Sequence, residues 1–158
     1  MRLAARARHA ASQAATRERS GLAMQTTRDN ALFLRTVRKT HYLWPVLGSQ
    51  PGLNAALDAL DWGNTPVAAA TSEISHGRTE TRTIRVLPAP EGTGFEDASL
   101  AILIERYVTV MKNGQRVMRN REAVLYITSL AAEDATPQDL LAFIRGAWRI
   151  EHTHWSAT

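Results

Sequence analysis

Glu151 stands where an acid is least expected. The run Thr136-Pro137-Gln138-Asp139 supplies a capping hydroxyl, a proline for the first helical position and an acid at the third, so a helix is predicted to start there. At about 100° per residue, Leu140, Ile144, Ala147, Trp148 and Trp155 fall within about 45° of one direction, and Glu151 falls among them. Gln138, Arg145 and Arg149 occupy the opposite face, where charge normally sits. Burying an unpaired carboxylate costs several kcal/mol. Glu151 is therefore either wet because the helix frays after Trp148, or paired with a buried arginine, or a metal-ligating or acid/base carboxylate aimed into a cleft. A site built from Glu151, His152 and His154 is incomplete, because these positions alone make no full ligand set and no second cluster finishes it.

The elements that must position this helix can be read upstream. Asp29 or Asn30 can cap a helix carrying Leu32, Phe33, Leu34 and Val37 and ending at the basic pair Arg38-Lys39. His41 to Leu47 reads as a short buried strand closed by Gly48 and Pro51. A second helix is expected through Leu53, Ala56, Leu57 and Leu60, ending by Gly63. Residues 67–130 look like strands. Arg78 to Leu87 is rich in threonine and β-branched residues with near-alternating charge. Leu100 to Met111 and Val117 to Leu130 flank Asn113-Gly114, the dipeptide suited to the two φ > 0 positions of a type I′ hairpin.

Composition bounds what these elements can do. A chain of 158 residues with 44% hydrophobic content is the size of one domain and can bury a core. Its apolar runs are broken by charge far short of the roughly 20 residues that cross a bilayer, so no membrane span is expected. The absence of cysteine removes disulfides, thiolate zinc sites and cysteine nucleophiles, and suits a cytoplasmic location. The formal charge of +4 is unevenly placed: residues 1–40 hold nine basic side chains against Glu18 and Asp29, and the rest is net acidic. Residues 1–26 read as an Arg/Ala-rich arm with little to offer a core, in the manner of a transit peptide or a phosphate-binding arm. Residues 27–158 read as the folded domain.

Four blocks of the chain resemble, in order, motifs of bacterial insertion-sequence DDE transposases of the H-repeat-associated group. Ile144-Arg145-Gly146 with Trp148-Arg149-Ile150-Glu151 and His154-Trp155 resembles "RGHWxIE…HW". Tyr42 to Pro51 is similar to "YxxxVKGNQP", Ser75 to Arg82 to "GHGRxExR", and Tyr126 to Leu130 to "YYITSL". The resemblance implies an α+β fold: a partial ribonuclease-H-like core, a β-rich insertion over residues 67–130 and a C-terminal glutamate-bearing helix. In such enzymes two aspartates and one glutamate hold two divalent ions that activate an oxygen nucleophile against a DNA phosphodiester. Glu151 matches the final acid, as catalytic residue and Mg²⁺ ligand. His76, Arg78, Arg82 and Arg145 are the implied DNA contacts, a guanidinium gripping phosphate in a fork. For His76, Arg78 and Arg82 the alternative is exposed strand charge balanced by Glu73 and Glu80. The implied partners are transposon ends and target DNA, with a homo-oligomer compatible and no membrane.

The departures are specific. Aligning the family's "TADALHTQ" block on Ala23 to Thr27 puts Leu22 at the second aspartate, and leucine binds no metal. Leu47 and Ser49 replace the lysine and asparagine of "VKGNQP", and Ala147 the histidine of "RGHW". The expectation is a truncated transposase core, inactive alone, with the strand at His41 to Leu47 left as an open sheet edge. A nonenzymatic basic DNA-binding module, with residues 2–39 tracking phosphates, is the competing expectation.

Overall fold

The computed structural model describes residues 27–46, 48 and 50–155, with side chains described as far as Gly146. The arm at 1–26 and the Leu22 alignment lie outside the described residues.

Among the described residues, three helices and five strands follow in the order α1 (Arg28–Thr36), β1 (Leu43–Pro45), α2 (Pro51–Asp58), β2 (Ala69–Ser75), β3 (Arg78–Pro88), β4 (Leu100–Lys112), β5 (Gln115–Thr128) and α3 (Pro137–Trp155). A 3₁₀ turn at Trp62–Asn64 separates α2 from β2. The strands form one antiparallel sheet in the order β1-β5-β4-β3-β2, an α+β architecture as expected. The strand region 67–130 is continuous with β1, which pairs Leu43 with Thr128 and Trp44 with Ile127.

Local chemistry explains most boundaries. The α1 cap is Thr27, one turn ahead of the expected Asp29 or Asn30: its extended backbone lets Oγ1 accept from the Asn30 N–H at 3.1 Å. Asp29 instead lies in the first turn, where a negative charge suits the helix dipole. Pro51 starts α2, and at its C-terminal end the indole of Trp62 donates to the Leu57 carbonyl at 2.8 Å, beside the Leu60 N–H that donates to the same oxygen at 3.2 Å. Asn113 and Gly114 have φ of 52° and 75°, the predicted type I′ turn between β4 and β5. His76 and Gly77 repeat it with 49° and 73°, so the β2–β3 connection is a second tight hairpin. At α3, Thr136 Oγ1 accepts from the Asp139 N–H while Asp139 Oδ2 accepts from the Thr136 N–H, both at 3.1 Å, a reciprocal capping box.

The expected strand His41 to Leu47 narrows to Leu43–Pro45. Pro45 has no N–H to give a ladder, and the preceding residues are held by side chains instead. Thr128 Oγ1 donates to the Tyr42 carbonyl at 2.7 Å, and the Tyr42 N–H donates to Ser129 Oγ at 3.0 Å. β1 lies at one sheet edge, as expected, and β2 at the other.

The sheet is covered on both sides. α3 buries Leu140, Leu141 and Ile144 against Ile84, Ile102, Ile104 and Tyr126. On the opposite face α1 and α2 bury Ala31, Leu34, Leu53 and Leu57 against Trp44, Ala101, Leu125 and Ile127. Alternation along β4 and β5 sends neighbours such as Ala101 and Ile102 into different cores. Tyr42 and Trp44 stack in the second core with ring centroids 4.7 Å apart.

Candidate functional site

The helix that carries Glu151 is present as α3, but the Glu151 side chain, like those of Ala147, Trp148 and Trp155, lies outside the described residues. The four DNA contacts implied by the resemblance can be placed. His76 is the first φ > 0 residue of the β2–β3 turn, its Nδ1 hydrogen-bonded to Ser75 Oγ at 2.8 Å. Arg78 begins β3 beside it and is exposed. Arg82 lies further along β3 in an ion pair with Glu80, and Arg145 reaches from α3 to Glu73 on β2. The balance by Glu73 and Glu80 that the sequence offered as the alternative is thus present around Arg82 and Arg145, and Arg78 is the arginine of this set with no ion pair among the described residues.

Glu80 anchors a charge chain across three strands. Arg106 donates to it at 2.8 Å and reaches Glu122 at 3.3 Å. The Arg106 hydrogen bond, with the charges of Arg82 and Arg106, outweighs burial and holds the Glu80 carboxyl below the usual carboxylate range.

Across the sheet is a cluster the sequence reading missed. Glu105 is buried, with its side chain 6% exposed. Its Oε1 accepts from Arg85. Its Oε2 accepts from the Tyr107 hydroxyl and from Arg121 Nη2, the latter at 2.9 Å. Arg85 is braced by donating Nε to the Thr65 carbonyl at 2.9 Å, and the Arg121 guanidinium lies 5.5 Å from the Tyr107 ring centroid. Burial pushes Glu105 up; the Tyr107 and Arg121 hydrogen bonds and the arginine charges overcome it and leave the carboxyl below its ordinary range. Both oxygens are saturated from within the fold, so the cluster is an internal clamp rather than a carboxylate presented to a ligand. The available signal was alternation: Ala101, Leu103 and Glu105 share one face of a strand whose start is deeply apolar.

A third cluster ties α1 to the end of β5. His41 Nδ1 lies 3.0 Å from Ser129 Oγ and 3.2 Å from Arg35 Nη1, and Arg35 Nε pairs with Asp97 at 2.8 Å. A serine beside a histidine suggests nucleophile and base. Here Ser129 is buried and already accepts from the Tyr42 N–H, and Arg35 shares the same imidazole nitrogen. The arrangement is a structural latch.

Burial first and the Arg35 charge second lower the His41 pKa, against opposing effects of Asp134, Ser129 and Asp97. The unfolded chain therefore binds a proton that the folded chain resists. Stability from this group is complete above the ordinary value of 6.5 and falls as pH drops from there toward the lowered folded value. Urea unfolding over that window should show a stability loss in the native chain and a flatter profile in His41→Gln, which cannot titrate; equal slopes would remove His41 as the source.

Among the described residues no group of three or more His, Asp or Glu side chains is placed to hold a metal ion. No described helix is long and apolar enough to cross a membrane. Comparison with family models, curated proteins and solved structures returned no match.

Proposed function

We propose that this chain is the glutamate-helix portion of an insertion-sequence DDE transposase core, related to the H-repeat-associated group, with DNA as its partner and no strand-transfer activity of its own. A partial ribonuclease-H-like core and a cytoplasmic location belong to this proposal.

One observation carries it: the four blocks that bear the resemblance, scattered over more than a hundred residues, are linked in space. The Tyr42 block and the Tyr126 block pair as β1 and β5 and exchange the Thr128 and Ser129 hydrogen bonds with Tyr42. The Ser75 block forms the β2–β3 turn and strand, and Arg145 of α3, which carries the Glu151 block, pairs with Glu73, the β2 residue opposite Glu80 of that block. Motifs that support one another in a single unit are what a retained domain requires.

The metal chemistry of the family does not transfer. Two divalent ions need several convergent carboxylates. Of the family's acids only Glu151 has a counterpart here, and the described residues offer no cluster, so the residues do not fit Mg²⁺ and no step is routed through it. Translating the genomic DNA upstream of this chain in all frames tests the proposal: an Asp-bearing series of strand-like segments in the family's order is expected, and its absence would remove the transposase origin. The second reading, a nonenzymatic DNA-binding module, is favoured by the basic distal end of the sheet.

A further inference from the structure

The strongest uncompensated charge in the described fold lies away from α3, at the distal end of the sheet. From Arg106 to Arg121 the chain carries five basic residues and no acid; Arg106 pairs with Glu80 and Glu122 and Arg121 with Glu105, which leaves Lys112, Arg116 and Arg119. Lys112, Arg116 and Arg119 are exposed, and none has an ion pair among the described residues. They lie along the β4–β5 hairpin, whose Asn113-Gly114 turn extends past the β2–β3 hairpin: Arg78 at the start of β3 is opposite Val110, and the pairs Met111–Arg116 and Lys112–Gln115 continue beyond it.

Two features expose the ribbon, on which Lys112 and Arg78, opposite Val110, lie on one face and Arg116, opposite Met111, on the other. β1 pairs with β5 only at Tyr126 to Thr128, so β5 from Gln115 to Ala123 has an open edge among the described residues and is exposed throughout. The β4–β5 register also shifts between Val108 and Thr109, which face Asn120 and Met118 and leave Arg119 as an extra residue. In a regular strand, residues five apart point to opposite faces. The bulge changes the phase, so Arg116, opposite Met111, and Arg121, opposite Tyr107, share one face.

We propose that this hairpin, with Lys112, Arg116 and Arg119 as its principal contacts and Arg78 beside them, docks on the phosphate backbone of duplex DNA. The choice of DNA over other polyanions rests on the function proposed above; the location rests on the charge and the open ribbon. A row of guanidinium and ammonium groups without internal partners is complementary to phosphate. Arg116 and Arg121 face Met111 and Tyr107, four residues apart on the regular strand, so they are separated by about 13 Å along the ribbon, and a two-stranded ribbon fits a major groove about 12 Å wide. The exposed Met111 and Met118 on the same ribbon are of the type that meets thymine methyl groups. Edge charges and a bulge can also serve only to prevent edge-to-edge aggregation, which is the competing explanation.

The test is fluorescence anisotropy of the full chain with a short labelled DNA duplex over a salt series, for the native sequence and for K112Q/R116Q/R119Q. The expected result is binding whose logarithm falls linearly with log salt, a slope reduced by about 2 to 3 in the triple variant, and affinity at moderate salt weakened about 100-fold. The single variants K112Q and R116Q should each take a share, so a folding defect in the triple variant does not decide the matter. Deleting residues 1–26 should leave the ribbon's contribution in place. Unchanged binding in all variants, loss only on removing 1–26, or a folded triple variant that aggregates while binding DNA normally would each overturn the proposal. Preference for an RNA hairpin over the duplex would overturn it too. None of these outcomes depends on what lies upstream of the chain, so failure here is separable from failure of the transposase origin.

Discussion

Ile102→Ala and Ile127→Ala should each destabilise the chain by about 3 kcal/mol in urea unfolding, the scale of a large-to-small change in a packed core. Both residues are fully buried, but on opposite faces of the sheet: Ile102 beneath α3, Ile127 beneath α1 and α2. Comparable losses are the signature of a sheet covered on both sides. Were one face open to solvent, its substitution would fall within the range of about 0.5 kcal/mol expected at exposed positions, the value anticipated for Met118→Ala on the open ribbon.

Arg85→Met should cost about 2 kcal/mol at neutral pH, and that cost should shrink as Glu105 protonates in acid. Breaking a buried ion pair from one side costs about 3 to 5 kcal/mol because a charge is stranded. The figure is discounted here because Arg85 is 25% exposed and Arg121 and Tyr107 still hold Glu105. The reverse change, Glu105→Leu, should cost less, since it strands two arginines that both reach water, at 25% and 62% exposure. The sign with pH follows from the lowered Glu105 pKa: its contribution is present above the ordinary carboxylate value and lost as pH falls through the folded one. Without Arg85 the folded value rises, so that contribution shrinks and disappears at higher pH. Chemical denaturation of the two variants between neutral pH and pH 4 measures both the ranking and the shift; equal losses would deny Glu105 its buried status.

What the sequence made legible was chemistry confined to a few neighbouring residues. Asn113-Gly114 and Thr136 to Asp139 dictate their own turn and cap, and both appear where expected. His76-Gly77 makes the same kind of turn but carries a weaker signal, because histidine reaches positive φ less readily than asparagine. The resemblance makes His76 a phosphate contact, and the role the fold gives it is the turn. The Glu105 clamp depends on register: Arg85, Glu105 and Arg121 come from three strands and meet only because β3, β4 and β5 pair as they do. The phase change at Arg119 is equally invisible to a period-2 pattern. This matters for the charge argument, since net charge by segment placed the basic excess in residues 1–40, whereas the folded sheet collects unpaired cations at the end of β4 and β5. Arg82 and Arg145 illustrate the converse, being chosen as DNA contacts by motif position and found facing Glu80 and Glu73.

The most direct measurement of the central claim is a supercoiled-plasmid nicking assay with the purified full chain in Mg²⁺ and in Mn²⁺. On the proposed transposase origin, which matches Glu151 to the family's final acid and Leu22 to an aspartate, no nicking above background is expected and no difference between the native chain and Glu151→Gln. Nicking by the native chain that Glu151→Gln abolishes would contradict it.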